Sequence, residues 1–325
     1  MQSDTEKAFP QQHGVSAREV AVGIAATLIF FMAIVFVPMM GLFAGVFTSL
    51  PTLLSVYRWG LPMGLWVPGG ALVIGGLLFT YLDMVLSVPY LGEMLLLGFV
   101  LGTGMRCGWS LEKTIGLASL LVFLSGALIF WSNLDVDAGG VFKGLEEGLQ
   151  KAISATLKQY AGVSADALML EESLKNVIPM VVRLLPGASL ASALLTSWLN
   201  LLVAKRFCTV RGLPLPAWGP WVKWRAPELL VWAVILSGFA LLLPVQQLKL
   251  VAMNVLVVLG TVYLLQGLAI ITFYFERWRL PRILRAIFYG FLVLQQFASL
   301  GAVLLGFFDI WFDFRRLTKK AAPSA

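Results

Sequence analysis

The side chains that could carry chemistry in this chain are amides and one carboxylate that interrupt long apolar runs. Six of them have neighbours that are mostly hydrophobic: Asn200, Asn254, Gln266, Gln295, Gln296 and Asp309. A buried polar group costs free energy unless it has a hydrogen-bond partner or lines a cavity. We therefore treat the six as candidate ligand-binding residues for a small polar solute, with hydrogen bonds from the amides and a charge from Asp309. For the amides, hydrogen bonding between helices is the alternative.

Four polar residues form one stripe in the apolar run that begins near Val177. Ser189, Ser192, Thr196 and Asn200 follow one another at intervals of three or four residues, and this spacing keeps side chains on one face of an α-helix. Such a stripe serves either as a helix–helix seam held by hydroxyl and amide hydrogen bonds or as one wall of a solute pathway.

The last apolar run ends in a charged motif. Asp309 and Asp313 lie four residues apart, so on a helix they share a face and repel each other unless cations neutralise them. Arg316 follows Asp313 by three residues, which predicts an intrahelical ion pair, and Trp311 is typical of a membrane interface. Two roles are open: a salt-bridge clamp at the end of the membrane, or a proton- or cation-coupled site that uses Asp309.

No set of residues has the pattern of an enzyme active site. The single histidine, His13, lies in the polar N-terminal tail, and Cys107 and Cys208 lack the spacing of a metal-binding motif. The sequence also lacks a nucleophile–base pair and a glycine-rich phosphate loop. We expect a protein without enzymatic activity, cofactor or metal.

The composition identifies the elements that must position these residues. Of 325 residues, 59% are hydrophobic and only 13% are charged, against about 25% charged residues in an average soluble domain. A soluble fold of this size cannot cover its surface with so little charge, and runs such as 20–37 do not alternate as β-barrel strands do. We predict an all-α fold: a polytopic transmembrane helical bundle of about eight to nine spans plus one surface amphipathic helix.

Five segments follow from this pattern. They are a polar N-terminal tail at 1–19, a glycine-rich transmembrane half at 20–131, an acidic extramembrane segment at 132–176, a second transmembrane half at 177–314 and a basic tail at 315–325. Hydrophobic residues recur every three or four positions in 142–160, which predicts an amphipathic helix on the membrane surface or a lid over a substrate. The run at 41–56 is short and contains Pro51, so we expect it to be kinked or re-entrant.

Lysine and arginine counts orient the bundle. With a cytoplasmic N-terminus, most basic residues fall in inside loops, above all in 204–228, whereas the acidic 132–176 segment falls outside. The net charge of +7 therefore reflects membrane topology, and no nucleic-acid partner is expected. Nine crossings would leave the basic tail outside, so either one apolar run does not cross or the tail departs from the rule.

Motifs spread over nearly the whole chain carry a resemblance to a known family. They are Arg58 and Gly60 after the proline-containing run, Pro186 before the polar stripe, Gly267 next to Gln266, and the closing residues Trp311, Asp313, Arg315 and Arg316. In these positions the chain resembles the YybS-like family of bacterial integral membrane proteins, whose function is not established. The resemblance implies a multi-pass protein in contact with the lipid bilayer of the bacterial inner membrane.

More distantly, the first half is similar to the substrate-binding S components of energy-coupling-factor vitamin transporters and to the rod-shape protein MreD. S components dock on a coupling subunit through small residues four apart, and Ala17, Ala21 and Ala25 have this spacing. The resemblance makes them candidates for docking on a membrane-protein partner. Two functions are open: transporter-like binding of a small polar solute at mid-membrane, or a non-enzymatic membrane scaffold or cell-envelope assembly factor, as MreD is.

Overall fold

The predicted all-α fold is confirmed by a computed structural model, which describes residues 15–85, 87–132, 141–161 and 165–317. Within these ranges the chain forms α-helices, short 3-10 turns and connecting loops, with no β-strand. Most of the predicted N-terminal tail (1–14), part of the acidic segment (133–140 and 162–164) and most of the basic tail (318–325) lie outside the described residues. The all-α assignment therefore refers to the residues that the structure describes.

The described residues contain twelve α-helices. In chain order they are α1 Ala17–Phe36, α2 Pro38–Gly45, α3 Leu50–Trp59, α4 Trp66–Tyr81, α5 Ser87–Arg106, α6 Leu111–Ser132, α7 Val141–Ala161, α8 Ala165–Arg211, α9 Leu229–Leu242, α10 Gln246–Arg277, α11 Arg282–Leu294 and α12 Gln296–Phe312. Three 3-10 turns connect some of them, at Val46–Ser49, Met63–Leu65 and Trp221–Lys223. The amphipathic helix predicted at 142–160 is α7.

The chain divides into two compact units. The first unit consists of Met1–Ser132 and Ser192–Trp218, and the second consists of Asn133–Ala191 and Gly219–Ala325. The long helix α8 contributes its first part to the second unit and its last part to the first. Each unit is described separately below.

Six helices in the described ranges are long and apolar enough to cross a membrane, and the count rises to seven if the bent pair α11–α12 is one span. This is fewer than the eight to nine spans predicted from the apolar runs. Two of those runs form helices that are too short to count as membrane-length. The run at 41–56 is broken into α2, a 3-10 turn and α3, and α9 has 14 residues, about 21 Å at 1.5 Å per residue.

The broken run returns to the end of the first unit at which α1 begins. Arg58, in the last turn of α3, forms a salt bridge of 3.1 Å with Glu19 in the first turn of α1. Prolines explain the interruptions, because Pro38 begins α2 and Pro51 lies in the first turn of α3, where a proline nitrogen donates no hydrogen bond. The kink predicted for this run is confirmed, and α2–α3 pairs with α1 as an antiparallel hairpin.

Other segments of the first unit meet at this same end. Nη1 of Arg106, the last residue of α5, donates to the carbonyl of Tyr57 at 3.1 Å. The hydroxyl of Tyr57 donates to the carbonyl of Pro214 in the basic loop after α8. Four segments therefore share one end of this unit: the start of α1, the ends of α3 and α5, and the loop after α8. The charge count predicts all four to be inside.

Glycines bring α3 and α5 into close contact. A Cβ atom at Gly98 would overlap the carbonyl oxygen of Ser49, and one at Gly102 would lie 2.7 Å from the carbonyl oxygen of Leu53. The buried side chains of the two helices, including Leu53 and Leu101, form part of the unit's core. Small residues four apart thus let the backbones approach, as in many membrane helix pairs.

The bent pair α11–α12 begins and ends beside the last turns of α10. The two helices meet at Gln295 with a bend of 102°. At the start of the pair, Nη2 of Arg285 donates to the carbonyl of Phe275 at 3.1 Å. At its end, the hydroxyl of Tyr274 donates to the carbonyl of Phe314 at 2.8 Å. These contacts favour a re-entrant pair over a broken span, and we predict that the last apolar run does not cross.

Candidate functional site

The structure brings together only two of the six candidate ligand-binding residues. Gln266 on α10 and Asp309 on α12 are both fully buried in the second unit, and Nε2 of Gln266 donates to Oδ2 of Asp309 at 3.2 Å. Asn254 lies nearer the start of α10, and its amide forms hydrogen bonds with the backbone of α8. Gln295 and Gln296 are exposed at the bend between α11 and α12, and Asn200 belongs to the first unit.

Asp309 is the centre of a buried ion-pair cluster. Nη2 of Arg315, whose side chain is fully buried, donates to Oδ2 of Asp309 at 2.7 Å, and Nε of Arg225 lies 3.7 Å from the same oxygen. The other carboxylate oxygen accepts the backbone N–H of Phe314 at 3.0 Å. With Gln266 included, both oxygens of this buried charge have partners, which a carboxylate in an apolar bundle requires.

The same cluster ties the segment before α9 to the end of α12. Nη1 of Arg315 donates to the carbonyls of Val222 and Trp224 at 2.8 and 2.9 Å. The backbone N–H of Ala226 donates to Oε1 of Gln266 at 2.9 Å. Gln266 therefore uses both ends of its amide, and segment 222–226 is fixed against α10 and α12.

Asp313 has a different partner from the one predicted. Its carboxylate forms a salt bridge with Arg225 and accepts the backbone N–H of Leu317 at 3.0 Å. Because α12 ends at Phe312 and Asp313 adopts a left-handed conformation with φ 38°, the helical spacing assumed for Asp309 and Asp313 does not extend to Asp313. The predicted intrahelical pair with Arg316 was wrong in its geometry, and Arg316 is exposed.

These contacts make Asp309, Asp313, Arg225, Arg315 and Gln266 a charge-balanced clamp, which we call the C-terminal clamp. Sequence reasoning placed Asp309 and Asp313 at the membrane end but missed Arg225, because the loop that carries it is 88 residues away from Asp313. The clamp's polar groups are largely occupied by one another, so the cluster holds the fold together.

Asn254 has a structural role beside Pro186. Its Oδ1 accepts the backbone N–H of Gly187 at 2.6 Å, and its Nδ2 donates to the carbonyl of Arg183 at 2.9 Å. Nδ2 also donates to the carbonyl of Leu250 one turn earlier on α10, at 2.9 Å. Proline removes one donor from the α8 ladder, and the Asn254 amide supplies hydrogen bonds to the neighbouring backbone groups. Close approach at this point depends on Gly187.

The polar stripe of α8 divides along its length. Ser189 and Ser192 are exposed, Thr196 is half-buried and Asn200 is fully buried. The seam with a neighbouring helix is made by a serine outside the stripe, since the hydroxyl oxygens of Ser197 and Ser119 on α6 lie 3.1 Å apart. Only the Asn200 end of the stripe therefore faces the interior of the first unit.

Asn200 contacts the 3-10 turn that separates α2 from α3. Its Nδ2 donates to the carbonyl of Val46 at 2.8 Å and to that of Thr196 at 2.8 Å. Its Oδ1 is buried and has no hydrogen-bond partner among the described residues. An amide in this position leaves a strong acceptor directed into the protein.

Three hydroxyl side chains at the same break also lack partners. Thr48, Ser49 and Thr52 are fully buried, and their hydroxyl oxygens have no hydrogen-bond partner in the described part of the chain. With Asn200 they form what we call the helix-break cluster. Sequence reasoning missed all three, because hydroxyl residues near a proline are ordinary; their burial is visible only in the structure.

The helix break places Ser49 and Thr52 on one face, and Asn200 contacts the same turn. Val46, Ser49 and Thr52 are spaced by three residues, which places them on one face of a 3-10 turn that continues into a helix. Asn200 contacts the Val46 carbonyl, and a Cβ at Gly98 would lie 2.8 Å from Cβ of Thr52. The cluster offers neutral oxygen acceptors and rotatable hydroxyl donors, which suit a small uncharged polar molecule or a weakly bound cation.

The residues of the family motif have mainly structural surroundings. Gly60 has φ 67°, and the guanidinium of Arg106 lies against it, 2.5 Å from where a Cβ would be. The guanidinium of Arg58 lies over the ring of Trp59, 5.6 Å from its centroid. Trp311 is exposed and packs edge-on against Phe307, with ring centroids 5.1 Å apart.

Two further groups complete the candidate sites. A Cβ at Gly267 would overlap the carbonyl of Ala302, so this motif glycine permits the close contact of α10 with α12. The side chains proposed for docking, Ala17, Ala21 and Ala25, are all exposed on α1. Within the described ranges no cluster of three or more His, Cys, Asp or Glu side chains could hold a metal ion.

Comparison with known proteins identifies the chain at the level of a family. No curated protein and no solved structure matches it significantly. A family model described as "Predicted membrane protein (DUF2232)" matches residues 25–310, which is nearly the whole chain. The match includes the whole helix-break cluster but ends before Asp313 and Arg315 of the C-terminal clamp. With six or seven membrane-length helices in its described ranges, the chain is an integral membrane protein and belongs to the DUF2232 family.

Proposed function

We propose that this protein is a non-enzymatic, transporter-like membrane protein that binds a small polar solute at the helix-break cluster of its first unit. The observation that carries the proposal is the set of four buried side-chain oxygens, from Thr48, Ser49, Thr52 and Asn200, that lack hydrogen-bond partners within the described residues. A polar solute would supply those partners.

The energetic argument rests on the cost of leaving such groups unsatisfied. An unpartnered buried donor or acceptor costs about 1–3 kcal/mol, and four of them around one turn are expensive to keep in a bundle without a compensating ligand. Membrane proteins tolerate broken helices where the irregular backbone is buried in protein or lines a cavity, and several transporters bind substrates or ions at such breaks. The turn Val46–Ser49 between α2 and α3 has this character.

In the second unit, the polar groups that the sequence marked inside apolar runs are already engaged, apart from Gln295 and Gln296, which are exposed. The charged groups of the C-terminal clamp pair with one another, and the Asn254 amide is occupied by backbone groups of α8 and α10. Of the six candidates from the sequence, we therefore retain Asn200 in the proposed site. Thr48, Ser49 and Thr52 join it.

The proposal includes a location in the bacterial inner membrane with a cytoplasmic N-terminus. Arg58 and Arg106 lie at the end of the first unit that also holds the start of α1. In the second unit, Arg225 and Arg315 lie at the end where α10 and α12 terminate. The positive-inside rule assigns these basic ends to the cytoplasm.

A scaffold or cell-envelope assembly factor is the second candidate function. It is supported by the clamp, since polar residues that only hold helices together need no solute. The exposed small-residue face of Ala17, Ala21 and Ala25 on α1 would then be a docking surface for a membrane partner. In-cell crosslinking from an α1 position, followed by identification of the captured protein, tests this alternative.

The solute proposal is tested by thermal unfolding of the purified full-length chain against a panel of sugars, amino acids and water-soluble vitamins. A ligand at 100 times its dissociation constant stabilises the folded state by about 2.7 kcal/mol. We expect Thr52→Val and Ser49→Ala to abolish the response to the active compound. Because each removes an unpartnered hydroxyl, the ligand-free variants should be as stable as the parent or more stable.

Ser119→Ala is the matched control, since its hydroxyl is buried but already paired with Ser197. This variant should lose about 1 kcal/mol of stability and keep the full ligand response. If no compound in the panel stabilises the parent protein, or if Ser119→Ala loses the response as completely as Thr52→Val, the proposed site is wrong.

A further inference from the structure

A polar cavity lies at the end of the second unit, beside the last turns of α10 and the turn that follows α12. Its volume is about 620 Å³, and it is lined by Tyr274, Arg277, Trp278, Phe312, Asp313, Phe314 and Arg316. Cavities of this size accommodate small organic ligands. It is separate from the helix-break cluster, which belongs to the other unit.

The charges around the cavity favour an anion. The guanidinium groups of Arg277 and Arg316 are exposed and make no salt bridge to any residue that the structure describes. The one lining carboxylate, Asp313, is already paired with Arg225. The cavity is therefore lined by two cationic groups and by one carboxylate that already has a cationic partner, which leaves an excess of positive charge.

The backbone holds Arg316 at the cavity in an uncommon conformation. Arg316 has φ 52° and Asp313 has φ 38°, a region that costs roughly 1 kcal/mol for a residue with a side chain. The turn is fixed by the hydrogen bond from Leu317 N–H to Oδ1 of Asp313 at 3.0 Å and by the bond from Tyr274 to the Phe314 carbonyl at 2.8 Å. The fold thus maintains a strained turn that carries an exposed guanidinium with no salt bridge to the residues that the structure describes.

The remaining walls are aromatic. Tyr274 and Trp278 have ring centroids 5.2 Å apart, and Phe312 stacks on Phe314 at 5.7 Å. Tyrosine and tryptophan at helix ends are typical of the membrane–water interface. The cavity therefore combines guanidinium donors with amphipathic rings at the level where lipid headgroups lie.

We propose that this cavity binds a phosphate-bearing anion through Arg277 and Arg316. Guanidinium groups match phosphate oxygens with paired, charge-assisted hydrogen bonds. The phosphate belongs either to the headgroup of an anionic phospholipid or to a small soluble phosphate ester. The proposal does not depend on the solute site of the first unit.

The test measures thermal unfolding of the full-length chain in detergent during titration with three probes. The probes are phosphatidylglycerol, phosphatidylcholine as the zwitterionic lipid, and glycerol 3-phosphate as the soluble ester. Each lost guanidinium contact weakens binding at least about tenfold. We compare the parent with Arg277→Gln/Arg316→Gln and with the control Arg282→Gln, which removes an exposed arginine of α11 that does not line the cavity.

The headgroup source predicts that phosphatidylglycerol stabilises the parent at concentrations at least tenfold lower than phosphatidylcholine, and that the double variant loses this preference. The soluble source predicts stabilisation by glycerol 3-phosphate that the double variant loses. Arg282→Gln should behave as the parent in both cases. Equal responses to all three probes, or an unchanged preference in the double variant, would overturn the proposal.

Folding of the variants is checked in the same experiment. Since neither guanidinium has a partner among the described residues, the ligand-free unfolding temperatures of the single variant Arg277→Gln and of the parent should agree. Arg277→Lys/Arg316→Lys retains the charge but not the planar fork, so it should keep part of the preference. If the lysine variant kept the whole preference, recognition would depend on charge alone, and the proposed paired hydrogen bonds from the guanidinium groups would be wrong.

Discussion

At the scale of single residues, the carboxylate of Asp309 shows how a charge is accommodated in an apolar bundle. Its two oxygens are shared among Arg315, Gln266 and the N–H of Phe314, and Arg225 is near enough to add attraction. Removing one partner of such a pair leaves an uncompensated charge in a medium of low dielectric constant. The helix-break cluster is the opposite case, because its side-chain oxygens are buried without hydrogen-bond partners among the residues that the structure describes.

Replacing Asp309 by asparagine tests the clamp. The change leaves the fully buried guanidinium of Arg315 without its counter-charge, and we expect a loss of about 3–5 kcal/mol of unfolding free energy. Denaturant unfolding in detergent measures it. Asp83→Asn is the control, since Asp83 is exposed and has φ 58°, a conformation that asparagine tolerates. Equal stability of the two variants would show that the clamp contributes nothing.

At the scale of helices, contact between α10 and α12 depends on two glycines. Gly267 faces the Ala302 carbonyl, and Gly306 faces the Tyr263 carbonyl. These contacts bring Gln266 within reach of Asp309. Helix packing and the clamp therefore support each other, because the amide–carboxylate bond at 3.2 Å requires that the backbones approach closely.

Two glycines on α12 separate this packing effect from intrinsic helix propensity. In Gly306→Ala the added Cβ would overlap the backbone of α10, so we expect a loss of about 1–3 kcal/mol. In Gly301→Ala nothing lies within 4 Å of the added atom, so the same substitution should gain about 0.5–1 kcal/mol from helix propensity. Thermal unfolding of both variants measures these changes in stability. Stability changes of similar size and the same sign would contradict the close contact between α10 and α12.

At the scale of the whole molecule, contacts at the helix ends determine the path of the chain. α3 returns to the start of α1, α5 ends beside α3, and α12 ends beside α10. If α2–α3 and α9 cross in addition to the six long helices of the described residues, and if α11–α12 is re-entrant, we expect eight crossings. An even number of crossings would remove the conflict over the basic tail, because we would then expect the tail on the same side of the membrane as the N-terminus.

Fusion reporters test this path. We expect a C-terminal fluorescent-protein fusion to be bright and a C-terminal alkaline phosphatase fusion to be inactive, because the tail is cytoplasmic in an eight-crossing chain with an inside N-terminus. A phosphatase fused after Ser132, at the end of α6, is the matched control and should be active. An active C-terminal phosphatase would mean that α11–α12 crosses the membrane.

Local sequence was sufficient for the fold class, for most helix positions and for the broken run at 41–56. The reason is that membrane insertion and helix interruption depend on the hydrophobicity and the prolines of a short stretch of chain. It was also sufficient to mark Asp309 and Gln266 as unusual, since a polar group in an apolar run is conspicuous wherever it finally points.

The partners of those groups could come only from three-dimensional packing. Arg225 and Asp313 are 88 residues apart in the sequence, and Asn200 and Val46 are 154 residues apart. Hydrophobic periodicity carries no information over such sequence separations. The same holds for burial: Gln295 and Gln296 stand in an apolar run yet are exposed at a bend, whereas Thr48, Ser49 and Thr52 look ordinary and are fully buried. Hydrophobicity selects the segments that enter the bilayer, but the packing of the helices against one another decides which polar side chains become buried and which partners they find.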